Sequence, residues 1–179
     1  NAFQNLYYPF NKMDSKDILQ LASSSLENLK DKTIDVVDIV RPHSISYANN
    51  GDSGIDLRAW IEEGEMAFKP LERKLVHTGI YFQVPEDTEI QVRTKSGRAL
   101  KNGLVVLNSP GTIDLEYTGE ICVILCNLSD QNIVIYDGEK IAQAVVCPVY
   151  NSYHVQLEQV EDLNRNTNRG DGGFGSTGI

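Results

Sequence analysis

The sequence predicts an all-β protein, an antiparallel β-sandwich or barrel. Three observations carry that expectation. Short β-rich runs recur from Ile34 onward. Turn signals such as Asn50-Gly51-Asp52, Pro85-Glu86-Asp87 and Asp137-Gly138 separate them, and little helix-forming sequence lies between. Many short strands at close spacing fit a doubled or closed sheet, which buries one face of each strand and leaves few open edges.

The elements follow in chain order. Residues 1–12 precede Met13 and stand outside the fold reading. From Asp14 to Lys30 the spacing is helical, with Ile18, Ala22, Leu26 and Leu29 on one face and Asp14 placed as an N-cap. Residues 1–33 therefore read as a partly helical N-terminal extension, packed on the main domain or offered to a partner. Residues 34–163 form the β domain, with strands expected over 34–41, 54–59, 65–69, 74–77, 80–84, 89–93, 119–127, 133–136 and 141–150. A short helix is expected over 96–102. Residues 164–179 form a flexible glycine-rich C-terminal arm. No repeat period and no second domain is evident.

The bulk properties narrow the function. The 179 residues are 41% hydrophobic and 23% charged, a globular composition with enough length to bury a core. No apolar run is long enough to cross a membrane, and the N-terminal region lacks a basic start followed by an apolar stretch. A net charge of −9 argues against a nucleic-acid polymer as the partner. A small phosphate-bearing ligand is compatible with it, given a local Arg/Lys cluster and a divalent cation. Cys122, Cys126 and Cys147 form no CxxC pair, and four residues of strand between Cys122 and Cys126 span roughly 13 Å, too far for a disulfide. They read as small core residues in a reducing, cytoplasmic setting. His43, His77 and His154 are scattered without metal-ligand spacing, which argues against zinc.

The arm is the most informative stretch. Arg169-Gly170-Asp171-Gly172-Gly173-Phe174-Gly175-Ser176-Thr177-Gly178 has no apolar periodicity with which to bury itself. It can order around a ligand: glycine amides approach phosphate oxygens, Arg169 supplies a charged fork, Ser176 and Thr177 add donors, and Phe174 offers a face for a base. The bland alternative is a disordered polar terminus. Four further segments stand out. The first, Ser53 to Ala59, places Asp56 within an apolar strand. The second, Lys95-Ser96-Gly97-Arg98-Ala99-Leu100, gathers cations and a hydroxyl where a strand gives way to a helix. The third, Asn108 to Glu120, is a polar and aromatic turn between apolar runs. The fourth, Gly138 to Gln143, leads into a strand carrying an amide. Taken singly, Asp56 could cap a turn, Asn108 could shape one, Tyr117 could be core, and Gln143 could satisfy backbone groups.

Together the five segments resemble the five ordered motifs of the trimeric dUTP diphosphatase (dUTPase) family, from about Ile34 to Ile179. The resemblance implies a jelly roll that assembles as a homotrimer. It implies hydrolysis of dUTP to dUMP and pyrophosphate with Mg2+, which removes dUTP from the nucleotide pool and supplies dUMP for thymidylate synthesis. Asp114 resembles the residue that orients and deprotonates the water attacking the α-phosphorus, and Asp56 the aspartate that holds water ligands of Mg2+. Lys95, Ser96 and Gly97 match the second-motif contacts to the phosphate chain, and Gln143 the fourth-motif amide. Asn108, Gly111, Thr112 and Ile113 match the hairpin that reads uracil, and Tyr117 the tyrosine packed on the deoxyribose. Arg169, Gly175, Ser176 and Thr177 would hold the γ-phosphate end, with Phe174 over the uracil ring, the arm closing on a neighbouring subunit's site.

The match has departures. The second motif usually reads Pro-Arg-Ser-Gly-Leu and here reads Thr94-Lys95-Ser96-Gly97-Arg98, so Lys95 keeps a charge but loses the bidentate fork. Thr118 replaces a frequent arginine and Ile55 a frequent aromatic. A dCTP deaminase-like or bifunctional enzyme shares the fold but carries a second serine and a downstream arginine in that motif, whereas Ser96 is followed by Gly97. A trimeric nucleotide-sensing regulator is the alternative from another class.

Overall fold

The structure is a computed structural model describing residues 16, 33–41, 45–163 and 167–173. The helix expected over 14–30 falls, Lys16 apart, outside the described residues, as do Phe174, Gly175, Ser176 and Thr177 of the arm. The chain divides into two compact units, residues 1–149 and 150–179.

The described residues of the first unit are mostly β. Its strands are β1 Asp35–Asp38, β2 Gly54–Arg58, β3 Glu65–Phe68, β4 Arg73–Val76, β5 Ile80–Gln83, β6 Thr88–Thr94, β7 Leu104–Val106, β8 Gly111–Ile113, β9 Val123–Asn127, β10 Ile133–Tyr136 and β11 Lys140–Pro148, with helix α1 at Ser96–Asn102 between β6 and β7. All pairings are antiparallel. The four-stranded sheet runs β2-β11-β6-β8, a three-stranded sheet runs β4-β9-β7, and β1-β5 and β3-β10 form two-stranded ribbons. The helix sits where its spacing placed it. Strands β7 and β8 were not expected: each is three residues long, too short to show an alternating pattern. The run expected from 119 becomes strand only at Val123, because the Glu120 carboxylate accepts instead from the backbone N–H groups of Thr78 and Gly79, at 3.0 and 2.8 Å.

Alternation builds the core. Along β6, Ile90 and Val92 point inward while Glu89, Gln91 and Arg93 are half-buried on the other face. Leu57, Phe68, Val76, Ile90, Leu104, Ile121, Leu125, Ile135 and Ile141 are each at most 1% exposed and fill the interior between the sheets. Cys126 joins that core, but Cys122 and Cys147 are only half-buried, which corrects the expectation that all three cysteines are core residues. Strand β9 begins too late to bury the Cys122 side chain fully, and Cys147 lies on the outward face of β11 against the Arg93 guanidinium, Nη2 to Sγ 3.3 Å.

In the second unit the described residues form turns. Asn151 accepts from the N–H groups of Tyr153, His154 and Val155, and the Arg169 Nε donates to the Gly172 carbonyl at 3.0 Å.

Candidate active site

Strand β2 presents Asp56 because alternation sends Ile55 and Leu57 into the core and the residue between them to the other face. Across the ladder Asp56 stands opposite Gln143 of β11, and Gln143 opposite Arg93 of β6. Lys140 and Gln143 would face opposite sides of a regular strand, being three residues apart. A bulge between Lys140 and Ala142 changes this: Ile141 and Ala142 are both buried, and Lys140 and Gln143 both reach the Asp56 side. The Lys140 ammonium lies 2.5 Å from Asp56 Oδ2, and the Lys95 ammonium pairs with Oδ1. Burial alone would raise the Asp56 carboxyl, but the hydrogen bonds from Lys140 and Lys95 outweigh it and hold the group below the ordinary aspartate value.

Arg98 extends this cluster. Its Nη2 lies 2.9 Å from Glu139 Oε2, and its Nε donates to the Lys140 carbonyl at 3.0 Å. Three cations (Lys95, Lys140 and Arg98) therefore stand against two carboxylates (Asp56 and Glu139), a locally cationic patch on a chain of net charge −9. The arginine that departs from the family's second motif is thus tied to the turn before β11.

The cations border a set of backbone groups. Lys95 is the N-cap of α1 without a side-chain cap bond, so no side chain closes the first turn at Ser96 and Gly97. A Cβ at Gly97 would meet nothing within 4 Å. Glycine in a helix costs about 1 kcal/mol relative to alanine, and packing within the chain does not call for it there. At Gly54 the chain does require glycine: a Cβ would stand 2.4 Å from Gln143 Oε1. The Gln143 amide is held over that backbone by its Nε2 donating to the Thr94 carbonyl at 3.1 Å.

Thr94, which opens the second motif where proline is usual, has a connecting role that the motif does not disclose. Its carbonyl accepts from Gln143, its Oγ1 accepts from the Val106 N–H at 2.9 Å, and its own N–H reaches Ser109 Oγ at 3.4 Å. Through its side chain, its N–H and its carbonyl, Thr94 therefore joins the second, third and fourth segments. Nothing in its local sequence reveals these partners, which are 12 to 49 residues away. Lys140 lies within the fourth segment but reads there as an ordinary lysine in a turn, and the bulge brings it to Asp56.

The third segment begins at the exposed Asn108, whose amide lies over Gly111, and passes through a cis Ser109–Pro110 bond into β8. Thr112 and Ile113 pair with Gln91 and Ile90 of β6, and Asp114 follows immediately, exposed. The Tyr117 hydroxyl donates to the Glu120 carbonyl at 2.8 Å, and the ring turns back over Gly119, whose Cβ would meet that hydroxyl oxygen at 2.6 Å. Tyr117 is 45% exposed, which rules out the core alternative.

The fold thus gathers Asp56, Lys95 and Gln143, with Ser96 and Gly97 next in chain. Asp114 is not among them. Strands β2 and β8 are the two edges of the four-stranded sheet. At about 4.8 Å per strand they stand roughly 14 Å apart, and the register adds an offset along the strands. Arg169 belongs to the second unit. Among the described residues, no helix is long and apolar enough to cross a membrane.

The dUTPase family profile matches residues 41–178. The chain belongs to the dUTPase family. Similar proteins include the deoxyuridine 5'-triphosphate nucleotidohydrolases of Hydrogenobaculum sp., 51% identical over 133 residues (74% of this chain and 88% of that protein), and of Chlamydia caviae, 50% identical over 132 residues with the same shares. Among solved structures, the Staphylococcus bacteriophage 80alpha dUTPase with dUpNHpp superposes with a TM-score of 0.71 at 23% identity, over 83% of this chain and all of that one. The dUTPase from phage phi11 of S. aureus, described with a structural Mg(II) ion, gives 0.63 at 20% identity over 74% of this chain and 99% of that one. At such identities these two likenesses speak for the jelly-roll-like fold.

Proposed function

We infer that the protein is a dUTP diphosphatase: it hydrolyses dUTP to dUMP and pyrophosphate by attack of water on the α-phosphorus. Family membership supports this reading over the deaminase. The observation that carries it in this chain is the cluster of Lys95, Lys140 and Arg98 around Asp56, beside the uncapped first turn at Ser96 and Gly97. That patch suits a polyanion and lies where glycine leaves space for close approach of phosphate oxygens.

The residues fit Mg2+ of a particular kind. Asp56 offers hard carboxylate oxygens, but one carboxylate paired with two ammonium groups is no cage for a resident ion. Such a site suits a cation that arrives on the triphosphate and keeps its waters, with Asp56 holding those waters and the lysines turning to phosphate oxygens. Bound there, Mg2+ would neutralise phosphate charge. Ser96, Gly97, Lys95 and Gln143 bind and align the phosphate chain. Asp114 orients the attacking water and takes its proton. Asn108, Gly111, Thr112 and Ile113 read the uracil edge, where cytosine would leave donors and acceptors unpaired. Tyr117 packs on the deoxyribose and excludes a 2′-hydroxyl. Arg169, Phe174, Gly175, Ser176 and Thr177 close the site.

The separation of Asp114 from Asp56 supports a homotrimer in which one chain supplies the phosphate patch and a neighbour the uracil hairpin and water-activating carboxylate. In this reading residues 1–33 are an extension, 34–163 the β domain and 164–179 the closing arm of a cytoplasmic enzyme. The test is Asp114→Asn, assayed with dUTP or dCTP and Mg2+ while reading pyrophosphate and ammonia. Turnover of dUTP should fall about a hundredfold or more with dUTP binding retained, since an amide of the same shape cannot accept the proton. Near wild-type turnover would remove Asp114 from the mechanism, and ammonia release would move the protein to the deaminases.

A further inference from the structure

Along the sequence, His77 is 43 residues from Glu120 and 45 from Cys122, so no ligand motif is legible. The sheet register cancels that distance. Strands β4 and β9 pair with Val76 opposite Val123. One step beyond that pair, antiparallel continuation sets His77 across from Cys122, and Glu120 follows two residues earlier on the same side. The three donor atoms lie within 4.8 Å of one another. His77 Nδ1 is 2.8 Å from Glu120 Oε2 and 3.6 Å from Cys122 Sγ.

We propose that His77, Glu120 and Cys122 form a zinc site, separate from the phosphate patch at Asp56. Tetrahedral zinc with bonds of about 2.3 Å to sulfur and 2.05 Å to nitrogen sets S and N about 3.6 Å apart, which is the separation here. The same geometry needs N and O about 3.4 Å apart, so the imidazole and carboxylate must part by roughly 0.6 Å. The His77 side chain is 54% exposed and free to swing by that much. The Glu120 carboxylate is already oriented, because its Oε1 accepts from the Thr78 and Gly79 N–H groups, which leaves Oε2 for the ion. The ring of His77 stands edge-on to Trp60, with centroids 6.5 Å apart.

The exposed His77 side chain keeps the cluster at the surface, so solvent can supply a water as the fourth ligand. Binding breaks the Cys122 S–H bond, forms a Zn–S bond and releases the proton to solvent. Thiolate and carboxylate then balance the two charges of the ion. A sulfur and an imidazole nitrogen select zinc over Mg2+, which takes oxygen ligands in an octahedron. The ion would tie the end of β4 to the segment entering β9, and binding only the folded state, it would raise stability.

The purified full-length protein, stripped with a chelator, is titrated with ZnCl2 and with CoCl2. One zinc per chain is expected, with a higher melting temperature, and Co2+ should show a thiolate-to-metal charge-transfer band. Cys122→Ser should remove that band, and both Cys122→Ser and His77→Ala should weaken zinc binding more than about 100-fold. Both should retain Mg2+-dependent dUTP hydrolysis, and Cys147→Ser should bind as wild type. In the wild-type protein, zinc should slow alkylation of Cys122 but not of Cys147, a readout that needs no variant to fold. Zinc binding unchanged in both variants, a cobalt complex without the thiolate band, or alkylation of Cys122 indifferent to zinc would each overturn the assignment.

Discussion

Replacing Gly54 with alanine should damage catalysis while leaving the fold nearly untouched. The added Cβ would stand 2.4 Å from Gln143 Oε1, so the amide must withdraw by about 1 Å to reach ordinary contact. Its hydrogen bond to the Thr94 carbonyl, 3.1 Å long, then stretches past the useful range. One neutral hydrogen bond is worth about 1 kcal/mol, and the lost backbone freedom of the unfolded chain returns roughly half of that. The melting temperature should therefore move by no more than about 3 °C. If Gln143 meets the phosphate chain as proposed, its displacement breaks that contact, and kcat/KM should fall about tenfold, equivalent to about 1.4 kcal/mol. The decisive assay is a double-mutant cycle with Gln143→Ala, using steady-state dUTP hydrolysis with Mg2+. Once Gln143 is gone the clash is gone, so Gly54→Ala should then be nearly silent. Equal losses in the two backgrounds, or an unchanged kcat/KM in the single variant, would refute the placement of Gln143 on the substrate.

Asp56→Asn should cost about 1 kcal/mol of stability, because two half-exposed ion pairs are lost, yet lower turnover about a hundredfold. Since the folded Asp56 carboxyl is held below its ordinary value, the stability from its pairs is complete above the unfolded value near 3.9. It is lost as pH falls through the lower folded value, so the urea midpoints of wild type and variant should converge below about pH 4; a constant gap would show that those pairs stabilise nothing. Tyr117→Ala should raise UTP hydrolysis relative to dUTP with little change in melting temperature, and an unaltered sugar preference would return Tyr117 to a structural role. Truncation before Arg169 should leave a folded protein with little activity, measured by circular dichroism and pyrophosphate release; normal hydrolysis would remove the arm from the site.

The strands legible in the sequence are those with enough residues to alternate. Strand β6 shows inward Ile90 and Val92 between outward polar residues, and its neighbour β11, nine residues long, is the longest strand described. Three-residue strands such as β7 and β8 are made by pairing, Leu104 with Asn127 and Ile113 with Ile90, and pairing is a property of the fold. The same division applies to the site. Asp56 is legible because a carboxylate in an apolar strand is an anomaly by itself. Lys140 is not, because an exposed lysine in a turn is ordinary until a bulge aims it at that carboxylate. The pairings of Thr94 and of the His77, Glu120 and Cys122 cluster are long-range, and no local pattern could announce those.

The charge arrangement joins the fold to the chemistry. A chain of net charge −9 repels a triphosphate at long range, so binding must be won close in. Strand β2 supplies the carboxylate, the segment between β6 and α1 supplies Lys95, the first turn of α1 supplies Arg98, and the bulge in β11 supplies Lys140. Asp56 holds two of those ammonium groups in place before any ligand arrives, so they are ordered at little further entropic cost when phosphate oxygens replace the carboxylate. In the proposed reading the same exchange would free Asp56 to hold the waters of a cation carried by the triphosphate. A neutral residue at position 56 would leave the lysines repelling one another and the cation without its carboxylate. One side chain is a counter-ion in the free protein and, in the proposed reading, a metal support in the complex, so its loss should weigh far more on turnover than on stability.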